Sequence, residues 1–429
     1  MEKKKMGLWA VVALMFGGLA YAASYSLPYI KGVFYEPTMQ ATGANNTQLG
    51  WMMTIYGVGN IVFNLLGGYF TDRFDYRKCI VYSLLGTTVL SVWLALAPSV
   101  ITMYIIWGLL GLTTFFVFNP SIFKLPRMVV PEERVADSVG WFSFAQAAAY
   151  MIINFSVLGI YGASASRTSQ AQSFKNVVWG YAAFTLLAAV GCALVFHKIK
   201  SKGTAKGEES DGDKFTFKQL IVVIKQPGLW FMLICGFCLY STQLTASYFV
   251  PYFGDVFGVA ITFSGFLGVL NMYGGRLFTP ILSKIATKSK YVSRLIVFGS
   301  VFLIALFIMV LLFSKSVPFW ILITVSLFTG IISTLFTNIC LALPPEAEIP
   351  RNATGTAMGL YAAVAYSPDM FQHTMFGAWL DNFGNAGYTY MFIFTIALLV
   401  VGGVVATILY RKARRDNVYG DKPQALANA

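Results

Sequence analysis

The sequence predicts an all-α membrane protein, with twelve transmembrane helices in two six-helix bundles. Three observations carry that prediction. The 429 residues are 57% hydrophobic and only 11% charged, with a mean hydropathy of +0.66, whereas soluble domains carry roughly 25% charged residues. Apolar runs long enough to span a bilayer recur on both sides of a single long polar stretch. Lysine and arginine gather in alternate loops. Scarce charge excludes a disordered chain, and five cysteines in 429 residues exclude a disulfide scaffold.

A hydrocarbon core of about 30 Å takes roughly 20 helical residues. Runs of that kind lie near 8–30, 48–70, 78–98, 100–124, 136–160 and 176–197, then near 228–253, 260–284, 292–314, 317–343, 353–380 and 387–410. The first begins after Met1-Glu2-Lys3-Lys4-Lys5 and contains Ala20-Tyr21-Ala22, a pattern shared with cleaved secretory signals. Its apolar character continues to Ile30, so it reads as a span. Ala97-Pro98-Ser99 and Ser314-Lys315-Ser316 are the turns that part the two closest pairs. The polar stretch 199–226 has a linker composition at its centre. Its tail, Phe215 to Ile224, reads as a short amphipathic helix at the membrane surface. The expected organisation is therefore a first bundle over 1–198, a linker over 199–226, a second bundle over 227–412 and a tail over 413–429. Outer loops are short apart from 31–46 and 161–175, which leaves no room for an extracellular domain.

Charge placement tests the count independently. If the N-terminus is cytoplasmic, the cytoplasmic segments hold 26 of the 31 lysines and arginines and the outer segments hold four, with Arg276 inside a span. That asymmetry places both termini in the cytoplasm of a multi-pass inner or plasma membrane protein. The net charge of +13 is thus spread over many loops as a topology signal, and it argues against a nucleic-acid partner.

The gap between the second and third spans reads Gly68-Tyr69-Phe70-Thr71-Asp72-Arg73-Phe74-Asp75-Tyr76-Arg77-Lys78. It resembles the cytoplasmic signature of the major facilitator superfamily, roughly G-x-L-A-D-R-x-G-R-R/K. Gly68, Asp72, Arg73, Arg77 and Lys78 match; Asp75 stands where glycine is usual and Tyr76 where a basic residue is usual. Glycine permits close helix approach, and an acid at a helix end pairs with basic groups and with the helix terminus. The resemblance implies a latch that closes and opens on the cytoplasmic side during alternating access. The second half keeps only the position and basic run of this motif, around Pro280-Ile281-Leu282-Ser283-Lys284. The G-x-x-x-G-P run of many drug exporters is absent, since 135–160 contains no proline. Asn46-Thr47-Gln48-Leu49-Gly50, Tyr366-Ser367-Pro368-Asp369-Met370-Phe371 and Gly377-Ala378-Trp379-Leu380-Asp381 look like a bacterial group of small-solute permeases in the same superfamily.

Ionisable groups inside spans cost at least about 2.5–3.5 kcal/mol each and so mark function. Arg276 lies in the eighth span, and guanidinium forks bidentately onto carboxylate or phosphate. It is similar in placement to the substrate arginine of monocarboxylate and oxalate-type carriers; an internal ion pair or an interfacial snorkelling side chain is the competing role. Asp369, beside Pro368, suits proton coupling, a structural partnership with Arg276 or a cap for the proline break. His373, at i+4, lies one turn further along the same face and suits a proton relay or a hydrogen-bonded interfacial role. Gln146, Asn154, Gln243, Asn271 and Tyr25 are candidates for lining the substrate path, or for bonding one helix to another. Lys124 snorkels to the cytoplasm or stands at the inner mouth of a cavity.

Cys235 and Cys238 form a C-x-x-C without further ligands at metal spacing, so they read as core residues and no metal is expected. No Walker motif, serine elbow or H-E-x-x-H occurs, so neither ATP-driven transport nor an enzyme is expected, and no cofactor. The leading expectation is a monomeric secondary carrier of a small organic anion, with protons as candidate co-substrate. The alternatives are a carrier of a neutral or cationic solute and, further off, a membrane sensor that transports nothing.

Overall fold

The computed structural model describes residues 7–71, 74–131, 134–198, 223–278, 289–312, 318–350 and 353–418. Every regular element among them is helical. Contacts divide the chain into two compact units. One comprises Met1–Lys206 with Val259–Val269 and His373–Ala378; the other comprises Gly207–Gly258, Leu270–Gln372 and Trp379–Ala429.

The first unit opens with α1 (Leu8–Ser26). The segment after it holds a short helix, α2 (Tyr35–Thr42), closed by Gly43 at φ 73°, a left-handed conformation that glycine adopts without steric cost. α3 (Asn46–Thr71) follows; its 26 residues measure about 39 Å at 1.5 Å per residue. α4 (Tyr76–Leu96) begins on a side-chain cap, with the Arg77 backbone N–H donating to Asp75. α5 (Val100–Gly111) is capped in the same way by Ser99. It widens into a π-turn at Leu112–Phe116 before α6 (Phe118–Met128). α7 (Val135–Ala165) and α8 (Gln170–Lys198) complete the set. Small residues let these helices approach: a Cβ on Gly18 of α1 would collide with Ala145 of α7, and one on Gly67 of α3 with the backbone of Phe116 in the π-turn.

The second unit starts at Pro227, well placed in a first helical turn, with α9 (Pro227–Ala246). α10 (Phe249–Phe257) continues it after an offset at Ser247 and Tyr248. α11 (Ile261–Val269), which packs in the first unit against α7, leads into a second π-turn at Leu270–Gly274. α12 (Val292–Leu312) has its N-terminus capped from afar: the backbone N–H groups of Val292 and Ser293 and the Ser293 hydroxyl all donate to the Glu346 carboxylate, which is fully buried. α13 (Phe319–Ile339) precedes that acid. α14 (Thr354–Ala365) and α15 (Gln372–Phe383) are separated by a 3₁₀ turn at Ser367–Met370, and α16 (Ala386–Arg415) ends the described chain.

Nine of the described helical segments are long and apolar enough to cross a membrane. The other three spans counted from the sequence correspond to α3, to α11 with its π-turn, and to the α14–α15 pair. The α14–α15 pair is interrupted as a continuous helix by the proline turn, and the described part of the α11 span ends at residue 278. Apart from Val223 and Ile224, which are helical, the Phe215–Ile224 helix lies outside the described residues, as does the Pro280–Lys284 copy of the cytoplasmic motif.

Candidate functional site

The turn between α3 and α4, expected on the cytoplasmic side, is held by charge. Arg77 forks onto Asp75, with Nε to Oδ1 at 3.0 Å and Nη2 to Oδ2 at 2.8 Å, while its Nη1 donates to the Phe196 carbonyl at 3.4 Å near the end of α8. This bidentate contact holds the Asp75 carboxyl below the usual carboxylate range. Asp75 is thus the N-cap of α4, which explains how the turn works without the usual glycine. Gly68 lies in α3 and Lys78 is exposed at the start of α4, whereas Asp72 and Arg73 lie outside the described residues.

Inside the first unit a set of neutral polar side chains is linked by hydrogen bonds. Tyr25 of α1 donates to the Thr114 carbonyl at 3.3 Å and to Asn119 Oδ1 at 3.1 Å. Asn119 of α6 donates to Asn64 of α3 at 2.9 Å, and Asn64 donates to Asn60 at 2.5 Å. Tyr56 and Thr114 share a hydrogen bond of 3.0 Å. Rings surround this ladder: Tyr21 lies 4.7 Å from Tyr25, and Phe115 lies 4.8 Å from Tyr56 and 5.8 Å from Tyr25. The π-turn supplies Thr114 and Phe115 and leads directly to Asn119, so the bulge builds this corner.

Of the residues singled out from the sequence, only Tyr25 joins the ladder. Asn154 is fully buried; it accepts from Tyr181 at 2.9 Å and donates to the Tyr150 carbonyl and to Ser26. Those bonds tie α1, α7 and α8 together. Gln146 is half-buried on α7, with Nε2 buried and unbonded among the described residues. Asn60, Asn64 and Asn119 were not foreseen, although two asparagines four apart in an apolar run would have flagged one face of α3.

In the second unit Asp369 is 1% exposed and accepts a 2.6 Å hydrogen bond from Tyr240 of α9, whose ring packs 4.7 Å from Tyr366. One expectation is corrected here. Asp369 and His373 do not sit one turn apart on a continuous helix, because Pro368 sets a 3₁₀ turn and Phe371 leaves helical geometry at φ −140° before α15 begins. His373 is buried at the start of α15, and its backbone lies against Gly50 of α3. Gln372 bonds instead to Ser241 and Thr245 of α9. Arg276 is half-buried just beyond the second π-turn. Asn271, within that turn, is 3% exposed and packs against Gly330 of α13; neither of its amide atoms finds a partner among the described residues. Gln243 is half-buried on α9, and Lys124 is half-buried on α6. Cys235 and Cys238 are buried thiols, and among the described residues no three His, Cys, Asp or Glu side chains gather as a metal site.

Span-length helices, interrupted where polar groups enter the interior, define a polytopic membrane protein of the solute-carrier kind. The chain belongs to the Major Facilitator Superfamily, whose family model matches residues 8–371, and it is accordingly a membrane transporter. It is 26% identical to the inner membrane protein YihN of Escherichia coli, over 96% of this chain and 97% of the relative. Inner membrane protein YqcE of the same organism is 23% identical over the whole of both chains. Among solved structures, an inward-facing bacterial homologue of the human lysosomal transporter Spinster superposes with a TM-score of 0.73 at 13% identity, covering 96% of this chain and 99% of that one. A variant of the nucleoside transporter NupG gives 0.70 at 11% identity, covering 94% and 99%. At those identities the likeness is one of fold.

Proposed function

We propose that the protein is a monomeric inner-membrane carrier that moves a small organic anion by alternating access, in symport with protons. The observation that carries the proposal is Arg276, a permanent charge held half-buried beside the π-turn Leu270–Gly274. π-turns break the helical hydrogen-bond ladder and recur at functional sites. Guanidinium is less strongly hydrated than ammonium and matches a carboxylate in two bonds. Asp369, buried and bonded to Tyr240, is the acid able to carry a proton through the cycle, with His373 as a second candidate. Gln243 and Asn271 are proposed second contacts for the cargo in this unit. Tyr25, Gln146 and Asn154 keep that proposed role in the first unit, with Asn154 acting through the hydrogen bonds it makes to Tyr150 and Ser26. On the cytoplasmic side Gly68, Asp72, Arg73, Arg77 and Lys78 form the proposed latch, with the Arg77–Asp75 fork as its described part.

Uptake of radiolabelled mono- and dicarboxylates into vesicles, with and without an imposed pH gradient, tests this. Arg276→Lys is expected to lose at least tenfold in uptake, and Arg276→Gln to lose binding while staying folded. If Arg276 instead neutralises Asp369, Arg276→Gln alone destabilises the protein and adding Asp369→Asn restores stability. Wild-type binding by Arg276→Gln overturns the anion reading. A neutral solute is the second reading, favoured by the uncharged ladder of Tyr25, Asn119 and Asn64 in the first unit.

A further inference from the structure

We infer that the asparagine ladder of the first unit is a recognition site for the hydroxylated body of the transported solute, a sugar, a polyol or a hydroxy acid. The inference rests on the carrier reading, though not on Arg276 or on any charge of the cargo. Its starting point is where the ladder faces. Val58, Val62 and Leu66 repeat every fourth residue of α3 and are 39%, 46% and 49% exposed, which marks the lipid-facing stripe of that helix. Asn60 and Asn64 stand two residues on, about 200° around the helix at roughly 100° per residue. They are nevertheless only half-buried, as is Asn119 across from them on α6. Amides do not face hydrocarbon, where unpaired polar groups cost several kcal/mol. Side chains that are partly accessible on the face away from lipid therefore border water.

The hydrogen bonds then decide what such a wet face can hold. Every bond in the ladder runs one way, from Tyr25 to Asn119, to Asn64, to Asn60. Each amide carries two N–H donors, so the second donor of Asn119, the second of Asn64 and both of Asn60 reach no protein acceptor among the described residues. The row is rich in spare donors and polarised toward its Asn60 end. Its complement is a solute with several oxygen acceptors in line, spaced like adjacent hydroxyls. The half-buried rings of Tyr21, 4.7 Å from Tyr25, and of Tyr29, packed edge-on to Tyr56 at 5.8 Å, supply the apolar walls for the C–H face of such a ring or chain.

Asn64→Cys and Asn119→Cys, made in the full-length protein in membrane vesicles, test the site directly. The native cysteines at 79, 192, 235, 238 and 340 are all buried, so background labelling by a membrane-impermeant thiol reagent is low. Both new thiols are expected to react, and because each variant keeps the other two asparagines with their spare donors, millimolar D-glucose, D-gluconate, myo-inositol or uridine is expected to slow at least one of them fivefold or more. Matched deoxy or dehydroxylated compounds should give no such protection. Thiols that do not react place the ladder away from water and overturn the inference. Reactive thiols that none of the four compounds protects also overturn it, as does equal protection by the deoxygenated analogues. Asn60→Cys replaces either variant that fails to fold. Protection by glucose and gluconate alike leaves the ladder site standing while removing the anion reading of Arg276; protection by gluconate alone supports both.

Discussion

Asp75 shows how one side chain can do the work of another residue type. A tight turn between spans ordinarily relies on glycine, but here a carboxylate accepts from the Arg77 backbone and from its guanidinium at once, so the turn is fixed by charge rather than by backbone freedom. Because this bonding depresses the folded-state pKa, the stabilisation is fully present above the ordinary carboxylate range near pH 4 and fades as pH falls through the depressed value. Asp75→Asn is therefore expected to lower the melting temperature at pH 7, with the gap to wild type closing below about pH 4. A gap that stays constant down to pH 3 would assign the loss to the cap geometry instead. The sequence made Arg77 legible through its motif, and made Tyr25, Arg276 and Asp369 visible as polar groups in apolar runs. Asn154 was equally visible, yet it ties three helices together, because polarity in a span does not say which neighbour uses it. Tyr240, the partner of Asp369, lies 129 residues away in sequence, a distance no local pattern reports.

At the scale of helices, the departures from regular structure matter more than the helices themselves. Apolar runs predicted the spans within a few residues at most ends, and Pro368 announced the break between α14 and α15. The two π-turns carried no such signal, since Leu112–Phe116 and Leu270–Gly274 are composed like any membrane helix and differ only in how their carbonyls pair. The trans cap on α12 was equally hidden, because Glu346 sits in a Pro-rich segment with nothing local to mark it. Its carboxylate meets the positive end of the helix and satisfies two backbone donors that would otherwise be orphaned. Glu346→Ala is expected to destabilise by about 1–3 kcal/mol for the buried donors left unpaired, read as a lowered unfolding temperature in detergent. Glu346→Gln, which keeps one acceptor oxygen, should lose less. Equal loss in both variants would show that the negative charge at the helix end, rather than the hydrogen bonds, is what matters.

For the molecule as a whole, sidedness ties sequence to function, since a carrier works only if its two faces differ. Within the first unit, contacts bring three expected cytoplasmic points to one end. Lys198, at the end of α8, stacks on Trp9 near the start of α1 at 4.6 Å, and Arg77 at the start of α4 reaches Phe196. Within the second, Lys412 near the end of α16 pairs with Glu348 at 2.6 Å, in the segment between α13 and α14. Each unit therefore brings together, at one end, described segments that the charge bias of the sequence expects on the cytoplasmic side. A membrane that retains positive loops on the cytoplasmic side fixes which end that is. Ser210→Cys, in the segment between the two sets of spans, is accordingly expected to resist an impermeant thiol reagent added to intact cells and to react once the cells are opened. The buried native thiols keep that comparison clean. Ready labelling from outside would invert the assigned orientation, and with it the side on which the Asp75–Arg77 turn and the proposed latch act.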